Sequence, residues 1–148
     1  MEAEFFVRDI QGDNCLDIDF AFVCDYAEAA GKINALGIGF DTIYAPAVPC
    51  KHQLFFLVMQ LRANVVEVGE KKLEVDLIDE DGKNIIPTLR AKLNVLKPNT
   101  GTESIARIAL QFNNVEFPRY GSYSLHAILD GHEMVRVPLK VSAPPKSG

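Results

Sequence analysis

Leu16-Asp17-Ile18-Asp19-Phe20-Ala21-Phe22-Val23-Cys24-Asp25 is the stretch that decides the fold class. Leu16, Ile18, Phe20, Phe22 and Cys24 recur at every second position, alternating with Asp17, Asp19, Ala21, Val23 and Asp25. Successive side chains of a strand point to opposite faces, so this spacing makes one apolar face and one acidic face. A helix would scatter the same residues around its circumference. The expectation is a half-buried strand with those five residues facing a core.

The same period returns downstream. Leu73, Val75 and Leu77 oppose Glu74 and Asp76, and Leu89, Ala91, Leu93 and Val95 oppose Thr88, Arg90, Lys92 and Asn94. Ala106, Ile108, Leu110 and Phe112 alternate with Arg107, Gln111 and Asn113, then Tyr123 to Leu129 and Val135 to Val141 repeat the pattern. The joints carry turn chemistry. Asp130-Gly131 is a strong two-residue hairpin signal, and Asp79-Glu80-Asp81-Gly82 ends in a residue that takes a positive φ without steric cost. Asn99-Thr100-Gly101 separates two further strands. Connections bearing Pro46, Pro49 and Pro118 suit crossings between sheets. About eight strands at this spacing predict an all-β, mostly antiparallel, Ig-like β-sandwich. Residues 1–142 form one domain in this reading, followed by a disordered tail over 143–148.

Residues 26–36 are ambiguous. Asp25-Tyr26-Ala27-Glu28 matches a helix capping box, whereas Gly31 interrupts any helix and Lys32-Ile33-Asn34-Ala35-Leu36 also fits a strand. The expectation is a loop or one short helical turn at 26–30, then a strand to about residue 36.

Composition excludes several functions. The chain has 148 residues and a net charge of −5, without a basic run. Phosphate neutralisation needs clustered Lys and Arg, so neither nucleic acid nor an anionic membrane surface is expected as a partner. The acidic start Met1-Glu2-Ala3-Glu4 does not resemble a signal peptide. Cys15, Cys24 and Cys50 form no CxxC spacing and cannot all pair, which points to free thiols in a reducing cytoplasm.

Candidate chemistry is sparse. Ser124, His126 and Asp130 share one face of a strand. Residues i and i+2 lie about 6.5–7 Å apart along a strand, beyond the ~2.6–3.2 Å that a nucleophile and base require, and Asp130 belongs to a turn. They are read as a solvated strand face, and no catalytic residue is assigned. Cys50 and His52 lack a second recognisable ligand pair for zinc, and the Asp17/Asp19/Asp25 and Asp79/Glu80/Asp81 clusters lack the spacing of a calcium loop. Neither metal nor cofactor is expected. Gly37-Ile38-Gly39 precedes a strand-like segment, so it reads as a bend or bulge rather than a phosphate cradle.

The most informative departure is Gln53-Leu54-Phe55-Phe56-Leu57-Val58-Met59, apolar on both faces. Either Phe55, Leu57 and Met59 face the core and Leu54, Phe56 and Val58 face outward, or the reverse, and the outward three need a cover. That cover is either the chain's own Phe5-Phe6-Val7 or a partner. The leading functional expectation is therefore a non-catalytic protein-interaction module, self-associating as a homodimer through Leu54, Phe56 and Val58. The alternative is a small-ligand or carbohydrate binder using Tyr26, His52, Phe117 and Tyr120 in the inter-strand loops.

Phe22-Val23-Cys24-Asp25-Tyr26-Ala27, Gly31-Lys32-Ile33-Asn34 and Leu36-Gly37-Ile38-Gly39-Phe40-Asp41 resemble the opening of an uncharacterised bacterial domain family. Gly121-Ser122-Tyr123 and the Asp130-Gly131 hairpin are similar to the close of the same family and of Ig-like sandwiches. The resemblance spans about residues 16 to 142 and implies a cytoplasmic β-sandwich with a strand at 32–36. It implies no activity and no binding residue.

Overall fold

The computed structural model describes residues 16–64, 68–98 and 101–146. The strands are β1 (Leu16–Cys24), β2 (Tyr26–Ala29), β3 (Ile33–Leu36), β4 (Thr42–Tyr44), β5 (Cys50–Asn64), β6 (Gly69–Ile78), β7 (Leu89–Val95), β8 (Glu103–Phe117), β9 (Gly121–Leu129) and β10 (His132–Ser142). None of the described residues is helical. The fold is all-β, with ten strands among the described residues rather than about eight. They form a three-stranded sheet β1-β5-β8, a five-stranded sheet β4-β10-β9-β6-β7 and the hairpin β2-β3. Pairing is antiparallel except between β4 and β10, which run parallel.

The two larger sheets enclose one core. Val23, Phe55, Leu57, Met59 and Phe112 from the first meet Leu73, Val75, Leu77, Leu125, Leu129 and Leu139 from the second. Each set occupies alternate positions of its strand, as the period of two requires. Prolines mark two crossings between the sheets: Pro46 and Pro49 between β4 and β5, and Pro118 between β8 and β9. The second crossing is pinned by Tyr123, whose hydroxyl donates to the Arg119 carbonyl at 2.6 Å and accepts from its N–H at 3.3 Å. Arg119 also pairs with Asp79 at 3.2 Å, joining this crossing to the turn after β6.

Two expectations are corrected here. Residues 26–30 hold strand β2 rather than a helical turn: Tyr26 to Ala29 pair with Leu36 to Ile33. Gly31, at φ +76°, closes the hairpin in a conformation that no helix contains. In addition, the five alternating residues of β1 do not share a face. Ile18 pairs with Leu61 but Phe20 pairs with Gln60, so Asp19 is an extra residue and the phase reverses there. Leu16, Ile18, Ala21 and Val23 pack on the main core, whereas Phe20, Phe22 and Cys24 turn to the opposite side. Asp19 is held by Gln60 Nε2 at 2.7 Å and by Arg62 Nε at 2.8 Å, a tertiary anchor for the bulge.

The Asp130-Gly131 turn forms as expected, with both residues at positive φ (48° and 84°), the geometry of a type I′ hairpin. Gly37 and Gly39, at φ 68° and 83°, make the expected bend between β3 and β4. Residues 143–146 continue outside any strand, and residues 147–148 lie outside the described residues.

Candidate functional site

Leu54, Phe56 and Val58 do face away from the main core, but Phe56 and Val58 are buried and Leu54 is partly covered. The β2–β3 hairpin lies across them and forms a second apolar cluster with Cys24, Ala27, Phe20, Phe22, Ile33 and Ala35. Val58 is 0% exposed and Phe56 6%, with the Tyr26 ring set edge-on to Phe56 at 5.2 Å. Alanines at 27 and 35, paired across the hairpin, let its backbone sit low on the sheet. The expected partner surface at these three residues is thus corrected: its cover is residues 26–36. The alternative cover, Phe5-Phe6-Val7, lies outside the described residues.

The four candidate ligand residues do not assemble into a loop site. Phe117 is 0% exposed and packs edge-on against Tyr123 at 5.0 Å, so its ring is core. The imidazole of His52 sits between Phe40 and Phe55, and burial pushes its pKa down from the ordinary value. Tyr120 donates its hydroxyl to the Ala45 carbonyl at 2.8 Å. Tyr26 sits on the hairpin, partly exposed beside Leu36. Cys24 and Cys50 are free, and burial raises both thiols above their ordinary pKa. Among the described residues no group of three or more His, Cys, Asp or Glu side chains could hold a metal ion.

A groove of about 410 Å³ opens where β2, β7 and β8 come together. Its walls are residues 27–29, 91–93 and 107–110, consecutive runs rather than alternate positions. Alternate residues would mean a strand face, so consecutive ones mean that strand edges bound the groove. Among the described residues, β7 and β8 are end strands of their sheets, and β2 pairs only with β3. Each therefore carries backbone N–H and C=O groups that face no described strand on one side. Leu73, Leu93, Ile108 and Leu110 make the lining apolar, and Lys92, Arg107 and Glu28 supply its charge.

A second feature lies on the outer face of the five-stranded sheet. Ser124 Oγ lies 2.7 Å from His126 Nε2, and His126 Nδ1 lies 2.9 Å from Glu133 Oε1. The expectation that Ser124 and His126 stay out of reach is corrected. The strand repeat sets the spacing of their backbones, whereas rotamers leaning along the strand bring the side-chain ends together. Asp130 stays out of this row, since its Oδ1 accepts from the Lys72 N–H at 2.8 Å in the turn. The acid facing His126 is Glu133, brought there by the hairpin register that places it opposite Ile128. Sequence reasoning missed Glu133, although a two-residue Asp130-Gly131 turn already implies that register.

Glu133 is fixed in turn by Arg136 Nε at 2.7 Å. Burial would raise its carboxyl, but hydrogen bonds from Arg136 and His126 outweigh this, and its pKa lies below the ordinary value. An ionised Glu133 only accepts, so Nδ1 of His126 carries the proton between them. In the neutral ring Nε2 then accepts, and the Ser124 hydroxyl donates to it. Asp76 and Arg136 flank His126 from β6 and β10, and Asp76 is occupied by Thr88 Oγ1 at 2.6 Å and Asn84 Nδ2 at 2.8 Å.

No curated protein matches the sequence. A solved structure, "Pseudomonas fluorescens alkylpurine DNA glycosylase AlkC bound to DNA containing an abasic site analog", is similar to 89% of this chain with a TM-score of 0.48 and 9% identity. The match spans 32% of that glycosylase, and the likeness carries no functional information. Among the described residues no helix is long and apolar enough to cross a membrane. The model of the family of unknown function DUF6941 matches residues 19–142, so the chain belongs to that family.

Proposed function

We propose that the domain is a protein-interaction module that takes an extended segment of a partner into the groove between β2, β7 and β8. The observation that carries this reading is the convergence of three strand edges on one apolar-lined groove. An extended segment laid there gains main-chain hydrogen bonds from an edge and places alternate side chains against the lining. β2 and β7 flank the edge of β8 from its two sides, which favours a single extended segment over the edge of a second folded sheet. Recruitment thus moves from the covered residues Leu54, Phe56 and Val58 to a groove beside the same sheet. The two-sheet core and the Tyr123 hydroxyl bonded to backbone upstream support an Ig-like sandwich, a fold that serves many binding modules. Free thiols on Cys24 and Cys50 suit a cytoplasmic setting.

Isotope-labelled domain titrated with an extended decapeptide of alternating Val and Glu tests the proposal. Saturable amide shifts confined to residues 27–29, 91–93 and 107–110 are expected, and they should vanish when alternate residues of the peptide are proline. Shifts elsewhere, or none up to millimolar peptide, would count against it. Protection of the same amides that rises with domain concentration alone would replace the partner segment by a second copy.

A further inference from the structure

We propose that Ser124 is a base-activated nucleophile that accepts an acyl group from an activated donor, a thioester or an aryl ester. The proposal rests on the order of the row on β9 and β10 and goes beyond the binding function above. Ser124 Oγ, His126 and Glu133 are linked at 2.7 and 2.9 Å, within the range in which a base takes a proton from a nucleophile. The proton positions follow from chemistry: the carboxylate can only accept, so the imidazole donates to it and leaves Nε2 to receive the serine proton. Glu133 is a positioning residue in this arrangement, and Arg136 holds it at 2.7 Å.

The mounting is rigid. β9 lies between β10 and β6, so both ladders fix the backbone that presents Ser124 and His126. The His126 side chain is 13% exposed, so the imidazole is held in place by its surroundings, while Ser124 is half-buried at the surface and Glu133 is more open. The bare alternative is a polar row that solvates a sheet face. Such a row does not require a serine hydroxyl and a carboxylate on the two nitrogens of one imidazole, with an arginine on the carboxylate.

The same mounting selects the substrate class. An interior strand commits its backbone N–H groups to its neighbours, so β9 offers no pair of free amides to a developing oxyanion. An amide would need that help. A thioester or aryl ester carries a more electrophilic carbonyl and a leaving group that departs as an anion. In the step, Oγ bonds to the carbonyl carbon while the serine proton passes to Nε2. The C–S or C–O bond then breaks, and the thiolate or phenolate leaves with its electron pair and takes up that proton. The product is an O-acyl Ser124 and a neutral His126.

The test uses the full chain with p-nitrophenyl acetate and, separately, a fluorophosphonate, read by intact mass and peptide mapping. One adduct on Ser124 is expected. Ser124→Ala should abolish it, and His126→Ala should slow it by about 100-fold or more, the usual worth of a positioned base. Glu133→Gln should slow it about tenfold, with Glu133→Asp recovering most of the rate, a rescue that a merely structural role would not produce. Circular dichroism checks that each variant is folded. Ser124→Ala, which removes one surface oxygen, stands as the control should His126→Ala unfold. Labelling on other residues, no adduct on Ser124, or equal rates for the parent chain and a folded His126 variant would overturn the proposal.

Discussion

The outer faces of the two sheets make opposite use of the same strand geometry. On the three-stranded sheet, the row Phe22, Val58 and Ala109 is apolar and lies under a hairpin of the same chain. On the five-stranded sheet, the row Asp76, His126 and Arg136 is polar and left uncovered by any described strand. The contrast teaches where to look for stability and where for chemistry. β5 is apolar on both sides because it serves two cores, whereas β9 alternates strictly because one of its sides meets solvent.

The strongest way to break this comparison is to charge the covered face. Phe56→Glu should cost at least about 4 kcal/mol, since it removes a packed ring and strands a carboxylate under the hairpin. Loss of cooperative urea unfolding checks it. A folded Phe56→Glu variant would mean that the hairpin lifts freely.

A smaller effect is expected at the base of that hairpin. Gly37 has φ +68°, and a β-carbon there would run into the carboxylate of Asp25. Gly37→Ala should therefore cost about 1–3 kcal/mol. Gly31, at φ +76° with open space around it, should lose less on the same substitution, so the two urea midpoints should separate.

Acid should act through Asp79, in the turn that follows β6. Hydrogen bonding from the Lys83 N–H lowers its pKa most; partial burial opposes this, and the Asp81 N–H and Arg119 add to the lowering. The folded value lies below the unfolded one, so between them the unfolded chain binds more protons and stability rises with pH. This contribution is complete above the ordinary carboxylate value and disappears as pH falls through the lowered one. Asp79→Asn should flatten that acid limb in denaturation curves taken across pH. The smallest change belongs to the open face: Ser124→Ala should move stability by no more than about 0.5 kcal/mol, seen as an unchanged melting curve.

Much of this was legible in the residues, and the failures share a cause. Leu73, Val75 and Leu77 or Leu125, Ala127 and Leu129 report their faces because each strand is regular and one-sided. β1 misled because its phase reversal depends on Asp19 meeting Gln60 and Arg62, which are remote in sequence. Residues 26–30 satisfy a capping box locally, and only the apolar patch of Phe56 and Val58 makes a hairpin the better use of them. Repeat distance along a strand misjudged Ser124 and His126 because it measures backbones and not side-chain ends. The groove between β2, β7 and β8 had no signal in the chain, since it exists only once strand order is known.

The bulge in β1 also bears on how this chain tolerates changes in length. With Asp19 present, five alternating hydrophobes are split between two cores, so the sequence looks more regular than the strand it makes. A chain lacking that single residue would have a plain alternating strand, with Leu16 and Ile18 still on the main core and Phe20 and Phe22 still beneath the hairpin. What it would forfeit is the clasp on Gln60 and Arg62. Removing position 19 would thus leave both apolar rows of β1 on their present sides, so the bulge sets the clasp and not the packing.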